Sequence, residues 1–228
     1  FPWLGYFAKI ARADVFCLLD HVQFPKKGGA WTNRVQVLVR GQPAFLTVPV
    51  DRSHSGVLPI HQVRIREQEP WRDKMLRTLQ AVYARAPFFA DAMALVEPML
   101  RNPTTLLAEY NEHALRALCA ALGWTTPLVR SSTLNIPGQA TDLLIGITRA
   151  LGGSTYLCGG GAGGYQEDDK FAQAGLRLEY QHFQHPVYAQ GTGPAFVPGL
   201  SIIDALMWLG IAGTARLLGM ARPSPCAA

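Results

Sequence analysis

Apolar positions near the start of the chain follow first a helical and then an extended spacing. Between residues 3 and 11, Leu4, Phe7 and Ala8 recur at intervals that place side chains on one face of a helix. Residues 15–19 form a short apolar run, which is typical of a buried strand. The chain is therefore predicted to open with a helix followed by a strand.

Residues 31–50 show the clearest strand pattern. Every second residue from 35 to 39 is valine, and residues 46–50 are rich in residue types that favour strands. Between them, Arg40-Gly41-Gln42-Pro43 has the composition of a turn. We predict an antiparallel hairpin, followed by a polar loop and a short strand at 63–65.

The rest of the chain predicts helices first, and then helices alternating with strands. Proline or an N-cap asparagine precedes each of three helical patterns, and Gly123 follows the last of them. Downstream, the alternation favours a mostly parallel sheet covered by helices. The predicted helices are 71–85, 88–100, 103–122, 141–151, 168–174, 200–208 and 212–218, and the predicted strands are 128–129, 155–157 and 176–183.

These elements define the predicted fold class and domain organisation. We expect an α/β fold with a mostly parallel sheet flanked by helices, an antiparallel hairpin and a helical middle segment. Residues 1–228 are expected to form a single domain, because no repeat or convincing linker interrupts the pattern and this length can bury one large core. The helical segment of about 70–123 is expected to be an insertion or a subdomain.

Composition indicates a soluble protein of a reducing compartment. Hydrophobic residues make up 49% and charged residues 16% of the chain, as in ordinary globular proteins. The most apolar run, 200–209, is shorter than the roughly 18 residues of a membrane span and contains Ser201 and Asp204. The start at Phe1 shows no export-signal pattern and the four cysteines lack CxxC spacing, so we predict a cytoplasmic protein without disulfides.

The net charge of +5 is spread along the chain rather than gathered around a nucleic-acid-binding motif. The densest basic stretch runs from Lys26 to Arg40. We therefore expect no nucleic-acid partner, and an anionic small ligand or carrier suits the charge better.

The segment from Leu19 to Lys26 places polar side chains where a predicted strand ends. Ligands of open α/β sheets bind outside the carboxyl ends of the strands. His21 is a candidate general acid or base there because imidazole titrates near neutral pH, and Asp20 can orient it. The alternative is a surface turn with a solvated histidine.

Trp31-Thr32-Asn33-Arg34 enters the predicted hairpin shortly after Lys26. Arginine offers a planar fork for a carboxylate or a phosphate, and asparagine supplies both a donor and an acceptor. These residues are therefore candidate ligands of an anionic group. An exposed strand start explains the same residues equally well.

A glycine-rich loop, Cys158-Gly159-Gly160-Gly161-Ala162-Gly163-Gly164-Tyr165, follows a predicted strand and precedes a helix. Its backbone amides could approach an anion, but the spacing matches neither GxGxxG nor GxxxxGK[ST], and a lid is equally compatible. Cys158 is a candidate nucleophile, with an ordinary buried cysteine as the commoner alternative.

Two histidines and an aspartate form the fourth candidate segment. His182 and His185 lie where the last predicted strand ends, and Asp204 is the one charge in an apolar helix. A buried aspartate must be paired or hydrogen-bonded, so Asp204 is expected either to position a histidine or to brace a loop. No metal site is predicted, because the two histidines lack the HExxH arrangement.

Seven sequence blocks, spread over nearly the whole chain, carry a resemblance to a known family. The blocks are Pro2-Trp3-Leu4-Gly5-Tyr6-Phe7-Ala8-Lys9-Ile10, Ala13-Asp14-Val15-Phe16, Leu19-Asp20-His21-Val22-Gln23-Phe24, Asn33-Arg34, Leu46-Thr47-Val48-Pro49-Val50, His185-Pro186-Val187-Tyr188 with Gln190, and Leu200-Ser201-Ile202-Ile203-Asp204. In this order they look like the successive signatures of WbqC-like proteins. Members of that family are associated with O-antigen and other surface-polysaccharide or natural-product gene sets, which implies a pathway rather than a reaction.

The sequence departs from the family pattern at a few positions. Cys158 stands where a serine is commoner, no second asparagine follows Arg34, and Met207-Trp208 replaces an aromatic residue and an asparagine. A fainter similarity links Pro2-Trp3-Leu4-Gly5-Tyr6 to the Pro-x-His-x-Gly-His segment of Rossmann-like nucleotidylyltransferases, with Trp3 and Tyr6 at the histidine positions. This similarity implies a Rossmann-like sheet without nucleotidyl transfer.

The resemblance and the candidate segments together suggest a biosynthetic transferase. It would attach an acyl or aminoacyl group to an amine of a nucleotide-linked sugar or a related metabolite. His21 or His185 would remove the proton of the attacking amine, Asp204 would orient a histidine, and Lys26 with Arg34 would hold an anionic part of the substrate. The alternatives are a noncatalytic module that binds a nucleotide sugar or a carrier, and a nucleotide-dependent ligase on a degraded Rossmann-like site.

The predicted site thus gathers residues from distant segments in one cleft. The catalytic candidates are His21, His185 and Asp204. The predicted substrate-binding residues are Tyr6, Lys9, Asp20, Gln23, Lys26, Asn33, Arg34, Ser132, Tyr165 and Gln190. The expected partner is a small molecule such as a nucleotide-linked sugar or a carrier-bound acyl group, and the sequence indicates neither a cofactor nor an oligomeric state.

Overall fold

The computed structural model of the protein describes residues 1–25, 32–53, 56–159, 166–191 and 195–220. Within these ranges the chain is mixed α/β. The helices are α1 (Leu4–Arg12), α2 (Trp71–Tyr83), α3 (Phe89–Leu100), α4 (Leu107–Ala121), α5 (Ala140–Ala150), α6 (Asp168–Gln173) and α7 (Ile202–Met220), and the strands are β1 (Phe16–Leu18), β2 (Arg34–Val39), β3 (Gln42–Thr47), β4 (Leu128–Arg130), β5 (Thr155–Cys158) and β6 (Arg177–Tyr180).

The main hydrophobic core joins the first helix to the helical middle segment and the last helix. Phe7 of α1, Leu79 of α2, Leu118 of α4 and Ile202 of α7 are fully buried in one cluster. The predicted helices at these positions are confirmed, except that α4 begins at Leu107 instead of 103, and each buries the apolar stripe that its spacing indicated. The helices of 70–123 share this core, and their description as an insertion or subdomain stays a prediction.

The predicted antiparallel hairpin is confirmed, but its turn is tighter than expected, because Gln42 and Pro43 belong to β3, which ends at Thr47 instead of continuing to 50. β2 and β3 pair antiparallel from Arg34 opposite Thr47 to Val39 opposite Gln42. Arg40 and Gly41 connect the strands, and both have positive φ angles, as a type I′ turn requires. Val37 is the fully buried residue of the hairpin and anchors it on the main core.

The predicted single parallel sheet is replaced by shorter pairs of strands. β1 pairs with β4 and β5 pairs with β6, both in parallel, so that the described strands form three separate two-stranded sheets including the hairpin. A Rossmann-like arrangement is not confirmed. The alternation of helices and strands predicts parallel pairing but not the length of each strand. Because β1, β4 and β5 have only three or four residues, each pairs with one neighbour and no continuous sheet forms.

A second, smaller hydrophobic cluster holds the β5–α6–β6 segment together. Ile145 of α5, Phe171 of α6 and Leu176 form this cluster, with Tyr156 packed against it. Polar contacts join it to α1, where Arg12 forms an ion pair with Glu179. The space between the two clusters is where the candidate site lies.

The last helix, α7, is interrupted at a point where the sequence pattern predicted a gap between two helices. Gly210 inside α7 has φ 68° and ψ 178°, which is not helical. By length and composition alone, Ile202–Gly219 could cross a membrane, but half of this stretch is buried inside the protein and its Asp204 is fully buried. A buried core helix passes the same test of length and composition, so this stretch is weak evidence for a membrane span, and the cytoplasmic location stays a prediction.

Candidate functional site

A cavity of about 690 Å³ opens between the two hydrophobic clusters. Its volume lies in the range of small-molecule sites, and most of its lining is apolar. Its described polar and charged lining residues are Tyr6, Lys9, Cys17, Asp20, Thr32, Asn33, Arg34, Tyr110, Asn111, Glu112, Arg130, Tyr156, Cys158 and Gln166. Five of the predicted substrate-binding residues, Tyr6, Lys9, Asp20, Asn33 and Arg34, therefore line one cavity.

α1 supplies Lys9 and Tyr6 to the cavity from one face, because residues three apart in a helix are neighbours. Burial lowers the pKa of Lys9 below its ordinary value, and the nearby Cys158 partly opposes this shift. The ammonium nitrogen lies 5.7 Å from the centroid of the Tyr156 ring. No carboxylate among the described residues pairs with Lys9, so its charge is available to an anionic ligand.

Cys158 ends β5 at the opposite wall and is 1% exposed. Its Sγ lies 3.2 Å from Oε1 of Gln166. Burial raises the pKa of the thiol, although Lys9 and Gln166 lower it in part. A protonated, buried thiol is a poor nucleophile, which favours the structural interpretation of Cys158.

Asn33 and Arg34 reach the cavity from the start of the hairpin. Asn33 is 6% exposed, and its Nδ2 donates a hydrogen bond to the Val48 carbonyl at 3.0 Å. Its buried Oδ1 accepts no hydrogen bond from the described residues. The Arg34 guanidinium lies 4.2 Å above the Phe45 ring, which orients its plane, and no acceptor among the described residues is shown to bind its N–H groups.

Asp20 and His21 belong to a hydrogen-bonded network at the end of β1. The buried Asp20 carboxylate accepts hydrogen bonds from the Ser131 hydroxyl at 3.1 Å and from the backbone amide and hydroxyl of Ser132 at 2.8 and 2.7 Å. The Ser131 oxygen also contacts Nδ1 of His21. A His21 ring that donates from Nδ1 to Ser131 in the neutral form keeps a lone pair on Nε2.

This network positions His21 beside the cavity rather than on its wall. Asp20 and Val22, its neighbours in sequence, line the cavity, whereas His21 is not among the described lining residues. Ser132 donates its backbone amide and its hydroxyl to Asp20 and is not among the described lining residues, so its contact with substrate stays a prediction. Gln23 is exposed outside the cavity.

The residues of the fourth segment lie elsewhere. His185 packs against the Trp3 ring at 5.2 Å and accepts a hydrogen bond from the Gly199 amide through Nδ1, and burial lowers its pKa. Gln190 bonds both backbone groups of Val197. None of these residues is among the described lining of the cavity, so the expected meeting of His185 and Gln190 with Arg34 is not found there.

The hydrogen bonds of Asp204 differ from the predicted contact with a histidine. Its two carboxylate oxygens accept hydrogen bonds from the hydroxyls of Tyr83 and Tyr188, each at 2.8 Å. Burial raises the pKa of Asp204, and the two tyrosine hydroxyls oppose the shift. Asp204 thus braces α2 and the segment before α7, which corresponds to the alternative role.

Two predicted residues, Lys26 and Tyr165, lie outside the described residues. Within the described ranges, no group of three or more histidine, cysteine, aspartate or glutamate side chains could hold a metal ion.

Comparison with known proteins decides the family. The model of the WbqC-like protein family matches residues 1–216, which is nearly the whole chain. The chain belongs to the WbqC-like protein family. It is also 28% identical over 211 residues to the uncharacterized protein Rv1507c of Mycobacterium tuberculosis, and the match covers 92% of this chain and 90% of that protein. No solved structure gives a significant match.

The site of this WbqC-like protein includes residues that sequence reasoning missed. Glu112 of α4 is buried and accepts hydrogen bonds from Arg116 and Arg130, and both Glu112 and Arg130 line the cavity. His61 donates through its backbone amide to the Asp20 carbonyl at 2.7 Å. The signal for Glu112 was its place on the buried stripe of an amphipathic helix, while the contact of Asp20 with Ser131 spans 111 residues and left no local signal.

Proposed function

We propose that this WbqC-like protein is a biosynthetic transferase that attaches an acyl or aminoacyl group to an amine of a nucleotide-linked sugar or a related metabolite. The cavity carries this proposal, because an apolar chamber of about 690 Å³ that holds Lys9 and Arg34, neither with an acidic partner among the described residues, suits an acyl group attached to an anionic carrier. Family membership supports a role in a biosynthetic pathway, whereas the reaction itself is proposed from the residues of the site.

The cations bind and orient the substrate in this scheme. Lys9 and Arg34 hold anionic groups, and the free Oδ1 of Asn33 accepts a hydrogen bond from an N–H or O–H of the ligand. A buried acceptor without a hydrogen-bond partner carries a free-energy cost in the unliganded protein. A ligand that donates to it removes this cost, which favours binding. These contacts would hold the reacting groups close together, which supplies much of the rate of a transfer reaction.

His21 is the proposed general base. Its Nδ1 contacts Ser131, whose hydroxyl donates to Asp20, and in this scheme Nε2 accepts the proton of the attacking amine. The amine nitrogen bonds to the acyl carbonyl carbon, the bond from that carbon to the carrier breaks, and the proton returns from His21 to the leaving group. Ser131, which contacts His21, and Asp20, which accepts a hydrogen bond from Ser131, act as positioning residues.

Mass detection of products tests this function directly. Purified protein is incubated with UDP-linked amino sugars and with acetyl- and butanoyl-coenzyme A as acyl donors. We expect an acylated sugar nucleotide, with turnover reduced by about a hundredfold or more in His21→Ala, the scale of general base catalysis. His113→Ala, an exposed histidine of α4, is the matched control and should keep full turnover.

A second candidate is a noncatalytic module that binds the same ligands. The absence of His21 from the described lining favours it, because a base must reach the proton that it removes. This candidate predicts saturable binding without product, weakened in Arg34→Ala and unchanged in His21→Ala. A nucleotide-dependent ligase would instead consume ATP, so an ATP hydrolysis assay separates the third possibility.

A further inference from the structure

A buried carboxylate lines the cavity without a cation beside it. Asp20 is 4% exposed and accepts hydrogen bonds from the Ser131 hydroxyl and from the amide and hydroxyl of Ser132, all of which are uncharged donors. No lysine, arginine or histidine among the described residues forms an ion pair with Asp20. Buried charges in proteins are ordinarily paired, so the negative charge of Asp20 is left for a ligand to balance.

The hydrogen bonds of Asp20 leave room for one more donor. An ionised carboxylate has about four lone-pair sites on its two oxygens. Among the described residues, Oδ1 accepts from the Ser131 hydroxyl at 3.1 Å and from the Ser132 amide at 2.8 Å, whereas Oδ2 accepts from the Ser132 hydroxyl alone, at 2.7 Å. Oδ2 therefore keeps an acceptor site. The three bonds hold the carboxylate in place, so a ligand would meet a preorganised acceptor.

The charge of Asp20 acts on the wall of the cavity. Cys17 lines the cavity from β1, and the pKa of its thiol is raised to about 11, first by burial and then by the negative charge of Asp20. The uncharged donors of Ser131 and Ser132 thus leave the field of the carboxylate in force at this wall. A field of this sign disfavours an anion nearby and favours a cation.

A second acceptor without a partner lies in the same cavity. Asn33 is 6% exposed, and its buried Oδ1 accepts no hydrogen bond from the described residues. Its Nδ2 donates to the Val48 carbonyl, which defines the orientation of the amide. An unsatisfied buried acceptor costs free energy, so Oδ1 indicates a ligand that carries an N–H or O–H group. This observation is independent of Asp20, because Asn33 belongs to the start of the hairpin.

The cavity also holds the opposite charge. Lys9 and Arg34 line it, and neither has an acidic partner among the described residues. Positive and negative groups in one cavity are complementary to a ligand that carries both an anionic group and an ammonium group. An uncharged acyl group would leave the charge of Asp20 unbalanced.

We propose that Asp20 binds the primary ammonium group of the substrate, and that Asn33 accepts a further N–H or O–H of the same molecule. This inference rests on the proposed function in taking the ammonium to be that of the acyl acceptor. The chemistry that the site recognises is a primary ammonium on a molecule that also carries an anionic group. An amino-sugar nucleotide and a free amino acid share this chemistry, so one probe of each kind is needed.

Isothermal titration calorimetry with matched pairs of ligands tests the ammonium site. UDP-glucosamine and UDP-glucose differ by an ammonium in place of a hydroxyl, and L-alanine and L-lactate differ in the same way. In one of the pairs, we expect the natural protein to bind the ammonium ligand about tenfold or more tightly than the hydroxyl ligand, the scale of a hydrogen bond to a charged group. The preferred pair identifies the source as a nucleotide or as an amino acid.

Asp20→Asn keeps the shape of the side chain and removes its charge. The variant should lose the preference for the ammonium ligand while it still binds the hydroxyl ligand, a change that a merely structural role would not produce. Asp91→Asn, at an exposed aspartate of α3, is the matched control and should keep the preference.

Asn33→Leu keeps the approximate size of the side chain and removes the acceptor. It should weaken both members of the preferred pair about fivefold, since a hydrogen bond to an uncharged group is lost in each case. Unchanged affinity for both ligands would place the probes outside the cavity and overturn the proposal.

The remaining outcomes separate this inference from the proposed function. Equal affinity within both pairs, no binding of any probe, or a preference that survives in Asp20→Asn overturns the ammonium site. A preference that depends on Asp20 without any product supports the site while removing the transferase, and product formation with an unchanged KM for the amine in Asp20→Asn does the opposite. Thermal unfolding confirms that each variant is folded, and the preference of the natural protein is decided without any variant.

Discussion

Lys9 combines burial with a cavity position, and its substitution should separate stability from binding. Burial lowers the pKa of Lys9 below 10.5, so the folded protein carries a penalty for the ammonium at all pH values below that lowered pKa. As the pH rises from the folded pKa towards 10.5, the folded amine is deprotonated first and the penalty disappears.

Lys9→Met is therefore expected to raise the free energy of unfolding at pH 7, and its advantage should shrink as the pH approaches 10.5. The same variant should weaken the binding of an anionic ligand about tenfold, because a charged hydrogen bond is lost. Chemical denaturation at several pH values and calorimetry measure the two effects. Lys74→Met, an exposed lysine of α2, should change neither, and a Lys9→Met variant that is less stable at pH 7 would contradict the assignment.

Asp204 is expected to stabilise the fold rather than to act in catalysis. Asp204→Ala leaves the buried hydroxyls of Tyr83 and Tyr188 without their acceptor, and each unsatisfied hydroxyl costs about 1–3 kcal/mol. Urea denaturation should show a loss of about 3 kcal/mol or more. Asp14→Ala, at an exposed position, should stay within about 0.5 kcal/mol of the natural protein.

The pH dependence of Asp204 has a defined sign. Burial raises its pKa above 3.8, so its contribution to stability is complete below 3.8 and is lost as the pH rises through the folded pKa. Asp204→Asn should therefore gain stability relative to the natural protein as the pH rises through this window. A difference that moves in the opposite direction would show that the tyrosine hydroxyls outweigh the desolvation of the carboxylate.

Individual side chains were predicted with mixed success, for identifiable reasons. Asn33 and Arg34 could be placed near a site because they are adjacent in sequence and begin a strand with a clear pattern. Asp204 could be recognised as buried, but its partner Tyr83 lies 121 residues away and no local pattern selects it over a histidine. Hydrogen-bond partners across such distances are set by the packing of the elements.

Helices and turns are specified by stronger local sequence signals than hydrogen-bond partners are, and Gly210 in α7 is an example of such a signal. Its φ of 68° with ψ of 178° belongs to a region that essentially only glycine adopts. A Cβ at this position would lie 2.7 Å from Cδ1 of Phe88. The residue therefore permits both the break in α7 and the close approach of the segment before α3.

Gly210→Ala is expected to destabilise the protein by about 1–3 kcal/mol, the cost of strained backbone at a non-glycine residue. Gly219→Ala is the matched control in the same helix, because its Cβ meets no atom within 4 Å and alanine favours helix. It should be neutral or stabilising in thermal denaturation. Equal stability of the two variants would mean that the break at Gly210 does not require glycine.

The elements themselves followed from sequence because their signals are local. Apolar spacing predicted α1 to α4, and valine alternation with Arg40-Gly41 predicted the hairpin. The pairing of β1 with β4 joins segments that are more than a hundred residues apart, so local patterns could not predict its register. The expected continuous sheet is replaced by separate pairs for the same reason.

Across the molecule, the site arises where two hydrophobic clusters meet. The cavity takes residues from α1, the hairpin, α4 and the end of β5, which no single motif contains. Sequence reasoning brought five of its residues together, and it placed His185, Gln190 and Asp204 in the same cleft because each follows or begins an element near a predicted strand end. These residues instead contact Gly199, Val197 and two tyrosines, and none of them is among the described lining of the cavity.

Blocking the cavity tests the central claim, which is that this space binds the substrate. Val35 lines the cavity from β2, and Val35→Trp would fill part of the space, while Val57→Trp adds the same side chain at an exposed position outside it. The deciding measurement is the calorimetric dissociation constant of butanoyl-coenzyme A for the natural protein and both folded variants. We predict that Val35→Trp loses binding and Val57→Trp keeps it, whereas equal affinity in the two variants, or no binding to the natural protein, would contradict the account.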